Sequence, residues 1–386
     1  MQGLKNLYSI LLFICSLISA QNPLLPRSIT YNADYQWAII GAGPAGIMVL
    51  GVLLDLGTDP KDILWVDPEF NVGRMGHYYA NVPSNTKTKH FIECLNSCQT
   101  FLDAQSPALE KLYDLNPELE YPLKVIVEPL QEVTDYLRTL IKSDTARLCS
   151  LSFEKNVWRV GTTDACFTAA HVILATGSHP KKPDYNCVNE IPLDIALDKE
   201  LLAAEVTIDD TIAVVGSGQS AILLLKHLSE LAVGRMINFY LHPINFNHPE
   251  TGLKGSTARW ARDILLKTPP TNLIRMINSC EVLKAWLPIC TKIIYAVGFE
   301  RNELPPIAHA PYINFDDRNG IIGPRLFGIG IAFPEKYEDE KGKLVSKIGL
   351  LNFMEYAHAM VPTWLHTKAP LTRYKAFEDI IMIELL

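Results

Sequence analysis

The chain has 386 residues, of which 48% are hydrophobic and 20% are charged, so it has enough apolar side chains for a buried core and lacks the bias of a disordered protein. At this length we expect about two domains. The formal net charge is −7, and no run of Lys and Arg with interleaved aromatic residues occurs. The sequence therefore excludes the broad basic surface of a nucleic-acid-binding protein.

The N-terminal segment has the layout of a secretory signal peptide. Lys5 precedes an apolar run from Leu7 to Ile18, and Ser19-Ala20 then lead into polar residues. This predicts a signal peptide over residues 1–20 and a secreted, periplasmic or ER-luminal protein. The run is shorter than the ~20 residues that span a bilayer, but an uncleaved N-terminal anchor is an open alternative. The segment lacks the twin arginine of the export route for folded proteins, so a cytoplasmic location is the other alternative.

The first recognisable motif is a glycine-rich turn. Gln36 to Ile40 predicts a buried strand that runs into residues 41–46 (GAGPAG), and an apolar helical stretch follows from Ile47 to Leu56. Strand, turn and helix in this order predict a dinucleotide-binding unit. Its first glycine makes a tight turn, its second lets a pyrophosphate approach the backbone, and its third lets the helix pack on the strand. The residues expected to contact the dinucleotide are Gly41, Gly43, Pro44, Ala45 and Gly46.

A carboxylate follows this unit at the expected place. Asp62 to Val66 predicts the next strand, and Asp67 stands at its end, 21 residues past Gly46. A carboxylate at this position binds the hydroxyl groups of a ribose. Asp67 therefore favours an unphosphorylated ribose, as in FAD or NAD, over NADP.

The same pattern recurs downstream. Thr211 to Val215 predicts a buried strand, residues 216–221 (GSGQSA) form the turn, and a helix is expected from Ile222 to Leu231. This predicts a second dinucleotide site. The residues expected to contact that dinucleotide are Gly216, Gly218, Gln219, Ser220 and Ala221.

The residue expected at the ribose of the second site is not acidic. Met236 to Leu241 predicts the next strand, and His242 lies 21 residues past Ala221. Without a carboxylate for the 2′-hydroxyl, the site favours NADPH, with NADH possible. Lys254 and Arg259 are either contacts of a phosphate or plain surface charges.

Two more strands end in glycines. His171 to Leu174 leads into Gly177, and Lys292 to Tyr295 leads into Gly298. Both segments are interpreted as crossings between two domains. The prediction is an α/β fold of two Rossmann-like, three-layer β/β/α dinucleotide-binding domains, the second inserted in the first. The predicted segments are a signal peptide (1–20), an FAD-binding domain (33–185), an NAD(P)-binding domain (205–295), and the rest of the FAD-binding domain with a C-terminal helix (296–386).

The motifs GAGPAG, ATGSHP, GSGQSA and YAVGFERN, in this order, resemble two-dinucleotide-domain flavoproteins of the pyridine nucleotide-disulfide oxidoreductase superfamily. Within them the chain resembles flavin-containing and N-hydroxylating monooxygenases over roughly residues 35 to 300. The resemblance implies FAD at the first turn, NADPH at the second, hydride transfer to the flavin and an oxygen adduct on reduced flavin. Val82 to Lys87 is similar to the segment with which such enzymes approach the flavin, which implies catalytic roles for Asn85 and for Ser84.

The chain departs from those families at three places. Pro183 to Glu205 lacks the Phe-x-Gly string with a following histidine. Residues 73–76 (GRMG) replace a glycine pair, and residues 328–331 (GIGI) stand where a motif ending in Gly-Asp is expected. No metal-ligand spacing occurs.

Two other functions are open at this stage. Cys94 and Cys98 share a helix face if their stretch is helical, so a thiol-disulfide reductase is one alternative. A non-catalytic flavin- or nucleotide-binding module is the other. An alternative to catalytic roles for Ser84 and Asn85 is that their side chains only form hydrogen bonds with the backbone of their own turn. In each enzyme reading the partner is a small-molecule substrate whose identity the sequence does not give.

Secondary structure is also predicted outside the motifs. Leu123 to Glu128 and Leu151 to Val160 read as strands. Val133 to Ile141 reads as an amphipathic helix, and Gly349 to Trp364 as a C-terminal helix.

Overall fold

Buried strands alternate with helices along most of the chain. The computed structural model describes residues 32–183, 189–248, 252–340 and 342–366, and the described residues from Ala33 onward belong to one compact unit. The predicted signal peptide lies outside the described residues. No helix within these ranges is long and apolar enough to cross a membrane, and these ranges contain no group of His, Cys, Asp and Glu side chains that would hold a metal ion.

The strands, in chain order, are β1 (Tyr35–Ile40), β2 (Ile63–Val66), β3 (Lys142–Asp144), β4 (Leu148–Glu154), β5 (Val157–Thr162), β6 (Cys166–Leu174), β7 (Ser178–Pro180), β8 (Asn189–Glu190), β9 (Thr211–Val215), β10 (Arg235–Tyr240), β11 (Leu273–Ile277), β12 (Lys292–Tyr295), β13 (Phe299–Arg301), β14 (Ile307–Ala308), β15 (Ile321–Gly323), β16 (Leu326–Gly328), β17 (Lys336–Glu338) and β18 (Leu344–Ser346).

The α-helices are α1 (Pro44–Asp55), α2 (Gly73–Tyr78), α3 (Thr88–Asn96), α4 (Gln99–Asp103), α5 (Pro107–Tyr113), α6 (Lys124–Leu140), α7 (Leu193–Ala196), α8 (Lys199–Glu205), α9 (Gln219–Glu230), α10 (Gly255–Trp260), α11 (Cys280–Trp286) and α12 (Leu350–Leu365). Short 3₁₀ turns at Pro60–Asp62 and Leu287–Ile289 and a π-helical turn at Ala261–Leu265 complete the helical segments described.

The first sheet joins strands from both ends of the described chain. Its strand order is β14-β4-β5-β6-β1-β2-β3, and β16 pairs with β6 and carries β15. Strand β1 is parallel to β2 and β6, whereas β4, β5 and β6 form an antiparallel meander. Because β16 follows the second sheet in sequence, the chain leaves the first sheet after β6 and returns to it.

The first sheet is buried on both faces. On one face Ile39 and Trp65 pack with helices α1, α3, α6 and α12. On the other face Ala38 and Leu64 pack with the meander, including Trp158. This arrangement gives the predicted β/β/α layers, and it explains why β1 and β2 read as continuous apolar runs.

The second sheet is parallel throughout, with the order β11-β10-β9-β12-β8. Helix α9 packs on one face against Ile212 and Val214, and α11 packs on the other against Ile237 and Phe239. This is the strand order of a Rossmann-type unit. The α/β fold class is therefore confirmed, while the domain boundaries stay predictions.

One sequence prediction of secondary structure is wrong. Leu123 to Glu128 was expected to be a strand, but Lys124 to Leu140 is one continuous helix, α6. The run Val125 to Val127 is a short apolar stretch that fits either structure. The deciding signal is the helical spacing of its buried residues, which are Ile126, Leu130, Val133 and Leu137.

Candidate functional site

The first glycine turn has a geometry that only glycine permits. Gly41 has φ of 113°, and a Cβ atom there would lie 2.3 Å from the carbonyl oxygen of Ala175. A Cβ atom on Gly46 would lie 2.0 Å from the Gly41 oxygen. Pro44 starts α1, at a position where the helix needs no N–H donor. The turn therefore brings strand, helix and the neighbouring β6 end together as the sequence predicts.

Asp67 stands at the end of β2, as predicted, and its carboxylate is largely engaged by backbone. Its Oδ2 accepts a hydrogen bond of 2.7 Å from the Ala42 amide inside the glycine turn. Its Oδ1 accepts from the amides of Glu69 and Phe70 at 2.8 and 2.7 Å. A carboxylate has about four acceptor positions, so one remains for a hydroxyl donor such as a ribose.

Glycines from two other segments border the same turn. A Cβ atom on Gly73, at the start of α2, would lie 2.9 Å from the Gly43 Cα. A Cβ atom on Gly330 would lie 2.5 Å from the Ala45 Cβ. Both glycines belong to the segments that differ from the family motifs in sequence, and both keep side chains away from the N-terminus of α1.

An orphaned polar atom lies beside this turn. The hydroxyl of Thr176 is buried and has no hydrogen-bond partner among the described residues. It directly follows Ala175, whose amide donates to the Ile40 carbonyl at the end of β1. A buried hydroxyl without a partner is uncommon in a folded protein. The glycine cradle, the remaining acceptor of Asp67 and this hydroxyl together fit a dinucleotide.

The second turn repeats this construction. Gly216 has φ of 137°, and a Cβ atom there would lie 2.2 Å from the carbonyl oxygen of Ala296. Gly218 has no heavy atom within 4 Å of its Cβ position, so the approach to the N-terminus of α9 is open. Ser220 and Ala221 lie in the first turn of α9, and Ala221 is buried against the sheet.

Backbone hydrogen bonds align the two units and correct one assignment. The Gly41 amide donates to the Val66 carbonyl, and the Gly216 amide donates to the Phe239 carbonyl, both at 2.8 Å. The residue after Val66 is Asp67, so its counterpart is Tyr240. His242, which we expected there, lies two residues beyond. The count of 21 residues from the third small residue of the turn gives the wrong position in the second unit, because its helix-to-strand connection is shorter. Residues 56–62 connect α1 to β2, whereas only residues 231–234 connect α9 to β10.

A segment after β10 joins the second turn to the predicted catalytic residues. The Gln219 Oε1 accepts from the Lys254 amide at 3.1 Å, and the Gln219 Nε2 donates to the Lys254 carbonyl at 3.4 Å. Gly255 follows with φ of 59°, and a Cβ atom there would lie 3.3 Å from the Ser84 carbonyl oxygen and 3.5 Å from the Asn85 Cα. We call residues 254–255 the bridging segment.

Ser84 and Asn85 differ in how far their own turn engages them. The buried Ser84 hydroxyl accepts from the Thr86 amide at 2.9 Å and donates to the Thr86 carbonyl at 3.0 Å. Asn85 is exposed, and its Oδ1 accepts from the Thr86 hydroxyl at 3.2 Å. The alternative that the side chain only forms hydrogen bonds with its own turn therefore applies to Ser84. The Asn85 Nδ2 makes no hydrogen bond within the described ranges.

The sequence relates the chain to known oxidoreductases. Residues 35–237 match the pyridine nucleotide-disulphide oxidoreductase family. A relative named monooxygenase AgnR1, from Paecilomyces divaricatus, is 30% identical to this chain, and the match covers 85% of this chain and 97% of the relative. The chain belongs to the pyridine nucleotide-disulphide oxidoreductase family. The prediction that the protein is an FAD-dependent oxidoreductase is therefore confirmed.

Solved structures of other proteins share the fold of this oxidoreductase, although their sequence identity to it is low. The FAD-bound cadaverine monooxygenase DfoA of Erwinia amylovora has a TM-score of 0.60 at 14% identity, covering 90% of this chain and 98% of that one. A flavin-containing monooxygenase from Stenotrophomonas maltophilia has a TM-score of 0.57 at 16% identity, covering 85% and 97%. The bacillithiol disulfide reductase Bdr of Staphylococcus aureus has a TM-score of 0.56 at 12% identity, covering 86% and 98%.

The two candidate redox thiols of the oxidoreductase lie in its core. Cys94 and Cys98 have no exposed surface, and both pack in the cluster on α1. Burial raises the pKa of Cys94 to about 12, with the charge of Glu355 acting in the same direction. Burial also raises the pKa of Cys98. A thiol that stays protonated inside an apolar core is a poor nucleophile, so both side chains act as packing residues.

The two predicted crossings of the oxidoreductase lie side by side. Strands β7 and β13 pair antiparallel next to Gly177 and Gly298, which have φ of 72° and 99°. The Asn302 Nδ2 donates to the Thr176 carbonyl at 2.7 Å, and its Oδ1 lies 3.0 Å from the His179 Nδ1. A Cβ atom on Gly298 would have no heavy atom within 4 Å, and one on Gly177 would lie 3.7 Å from the Asn302 Nδ2. The predicted role of both glycines in cofactor binding stays a prediction.

Sequence analysis missed a cluster that links α2 to α7. The Arg74 Nη1 donates to the Asp194 Oδ2 at 3.1 Å, and its Nε donates to the Ser178 carbonyl at 3.1 Å. The Tyr79 hydroxyl donates to the Asp194 Oδ1. Burial, followed by this hydrogen bond to Asp194, raises the pKa of Tyr79. The departure from the family motif at residues 73–76 was the signal, because it places an arginine where a glycine is expected.

Of the two basic residues considered as phosphate contacts, Arg259 is engaged by another side chain, whereas the role of the Lys254 side chain stays a prediction. The Arg259 Nη2 forms an ion pair of 3.1 Å with the Glu120 Oε2. The backbone amide and carbonyl of Lys254 form hydrogen bonds with the Gln219 side chain. Nearby, the His248 Nε2 lies 3.3 Å from the Asp339 Oδ2, which ties the loop after β10 to the β17–β18 hairpin. The loop is therefore held both at the second turn and at this hairpin.

Proposed function

We propose that the protein is an NADPH-dependent flavin monooxygenase that acts on a small molecule. Its support is the family assignment, a relative named monooxygenase and the fold shared with an FAD-bound monooxygenase. A bound FAD would supply the redox chemistry that the side chains lack, namely hydride acceptance from the nicotinamide and activation of oxygen.

The observation that carries the proposal is the bridging segment. Lys254 is held by Gln219 of the second turn, and Gly255 lies against Ser84 and Asn85. Hydride transfer requires a donor and an acceptor held at a defined approach. A short covalent segment that touches both the nucleotide turn and Asn85 supplies a fixed distance between the two sites.

The chain's own residues have distinct tasks in this proposal. Residues 41–46 and the N-terminus of α1 bind the FAD pyrophosphate, and Asp67 accepts from a ribose hydroxyl. Residues 216–221 bind the NADPH pyrophosphate at the N-terminus of α9. The exposed Asn85 donates its Nδ2–H to a bound ligand, and Ser84 holds the turn that presents Asn85.

The disulfide-reductase alternative has less support. It requires a thiolate near the flavin or the substrate, but Cys94 and Cys98 are buried and protonated. A non-catalytic binding module would not need the contacts that the bridging segment makes with the second turn and with Asn85.

Anaerobic titration of the purified flavoprotein tests the proposal. We expect NADPH to bleach the flavin absorbance and readmitted oxygen to restore it, with one NADPH consumed per oxygen molecule. A bound flavin that neither NADPH nor NADH reduces would leave a binding module. Reduction by NADPH with turnover only on a disulfide, and without oxygen consumption, would establish a reductase.

The sequence alone supports a proposal on location. We propose that residues 1–20 direct export, with the cytoplasm as the alternative location. Expressing the full chain and a chain lacking residues 1–20 in a eukaryotic host tests it. Export of the first but not the second is expected, and an identical intracellular distribution would contradict it.

A further inference from the structure

The position that carries Asp67 in the first unit carries Tyr240 in the second. The two residues follow Val66 and Phe239, whose carbonyls accept from Gly41 and Gly216 in the same way. In the first unit the carboxylate lies at the glycine turn. The second unit has no acidic side chain at this position, so the chemistry offered to a ribose differs between the two sites.

An arginine stands against Tyr240. The Arg275 Cζ lies 4.7 Å from the centre of the Tyr240 ring, and Arg275 is half-buried on β11. The pairing of β10 with β11 sets Asn238 opposite Arg275 and Tyr240 opposite Ile277. The guanidinium therefore extends along the sheet toward the end of β10, where the turn lies.

The orientation of Arg275 is fixed through Asn238. The Arg275 Nε donates to the Asn238 Oδ1 at 3.0 Å. The fully buried Asn238 in turn donates from Nδ2 to the carbonyls of Val214 and Gly216 at 3.0 and 2.9 Å. One amide therefore connects the guanidinium to the first glycine of the second turn.

The two terminal nitrogens of Arg275 form no hydrogen bond or ion pair with any residue in the described ranges. Burial lowers the pKa of Arg275, while Tyr240 acts to raise it; an arginine nonetheless stays charged at neutral pH. Neither terminal nitrogen is among the buried side-chain atoms without a partner, so both reach the surface and are accessible to a ligand.

We infer that Arg275, supported by the ring of Tyr240, binds the 2′-phosphate of NADPH and sets the preference for NADPH over NADH. The inference rests on the proposed function and deepens it by assigning the donor. A guanidinium binds a phosphate through two parallel hydrogen bonds. A carboxylate at the same position would repel that phosphate, as Asp67 would in the first unit.

Fragment binding to the holoenzyme tests this without turnover. We would measure calorimetrically the binding of adenosine 2′,5′-bisphosphate and of 5′-AMP to wild type, Arg275→Gln, Arg275→Lys and Arg235→Gln. Arg235 is an exposed arginine at the opposite end of β10 and is the matched control. We expect Arg275→Gln to weaken the bisphosphate about 10- to 100-fold and to leave 5′-AMP within about twofold. Arg275→Lys should retain part of the affinity, and Arg235→Gln all of it.

A second variant keeps the inference testable if Arg275→Gln does not fold. Tyr240→Asp places a carboxylate at the position of Asp67, beside Arg275, and should shift the preference from NADPH toward NADH. Equal losses for both fragments in Arg275→Gln, or an unchanged NADPH-to-NADH affinity ratio in Tyr240→Asp, would overturn the inference. Wild-type protein that binds neither nucleotide would instead overturn the proposed function.

Discussion

Trp65 and Asn238 occupy the same position in the two dinucleotide units, and each donates a side-chain hydrogen bond of 2.9 Å to the carbonyl of its unit's first glycine. Each residue lies one position before the residue whose carbonyl accepts a hydrogen bond from the amide of that glycine, Val66 or Phe239. Both turns thus receive a donor from the neighbouring strand, although an indole and an amide share no sequence likeness.

We predict that Trp65→Phe weakens FAD binding. The substitution keeps the buried ring and removes the N–H donor, leaving the Gly41 carbonyl without it, at a cost of about 1–3 kcal/mol. FAD dissociation and urea-induced unfolding would measure the effect. Trp286→Phe is the control, because Trp286 is only half-buried and lies on α11, away from the first turn. Equal FAD affinities for the two variants would show that the Trp65 hydrogen bond is dispensable.

We predict that the bridging segment controls hydride transfer more than nucleotide binding. Gln219→Leu removes both hydrogen bonds to Lys254, and Gly255→Ala introduces a Cβ atom 3.3 Å from the Ser84 carbonyl. Either change should slow anaerobic flavin reduction at saturating NADPH about 10- to 100-fold, because small displacements of reacting groups reduce rates steeply. The dissociation constant of NADPH should change much less in Gly255→Ala, because Gly255 lies outside the turn that binds NADPH.

The control for this prediction is Gly57→Ala. Gly57 also has positive φ, 85°, but no heavy atom lies within 4 Å of its Cβ position. Gly57→Ala therefore measures the free-energy cost of placing alanine at a positive φ without any steric clash of its Cβ atom. Slower reduction in Gly57→Ala, to the same degree as in Gly255→Ala, would assign the effect to general destabilisation.

We predict that the buried thiols take no part in turnover. In native protein, exposed Cys149, Cys166 and Cys280 should react with a thiol reagent, while Cys94 and Cys98 should react only after unfolding. The double variant Cys94→Ala and Cys98→Ala should keep NADPH-dependent flavin reduction and lose about 1–3 kcal/mol of stability from the small cavities. Loss of reduction in a folded double variant would restore the disulfide-reductase alternative.

The glycine turns were predictable because their constraint is local. Gly41 and Gly216 each lie between a strand and a helix that are contiguous in sequence, and the positive φ of the turn requires glycine at both positions. A backbone requirement of this kind leaves a fixed residue type at a fixed spacing. Sequence reasoning therefore found both turns and the α/β fold.

The partners of those turns were not predictable, because they depend on connection lengths and distant strands. Tyr240 was overlooked in favour of His242 since the helix-to-strand connection is shorter in the second unit. Arg275 lies on β11, 35 residues beyond Tyr240, and only the register of β10 with β11 brings the two together. The bond from Gln219 to Lys254 likewise spans 35 residues and leaves no pattern in the sequence.

We predict that two buried histidines make the protein acid-sensitive. Burial lowers the pKa of His227 from its ordinary 6.5 to about 4, with the charge of Lys226 adding to the effect. His171 shifts to about 4 as well, chiefly through burial. A lowered histidine pKa gives stability that is fully present above pH 6.5 and is lost as the pH falls from 6.5 toward 4, because the unfolded chain takes up the proton first. Each histidine should account for up to about 3 kcal/mol of this loss.

His227→Leu provides the test. The His227 Nδ1 is buried and has no hydrogen-bond partner among the described residues, so leucine removes the titration without breaking a bond there. Urea unfolding at pH 7 and pH 5 should show a smaller pH-dependent loss in His227→Leu than in wild type. His242→Leu, at an exposed position, should retain the wild-type loss. An unaltered pH dependence in His227→Leu would mean that the His227 ring titrates in the folded protein as in the unfolded chain. The acid sensitivity would then have to arise from His171 and the carboxylates.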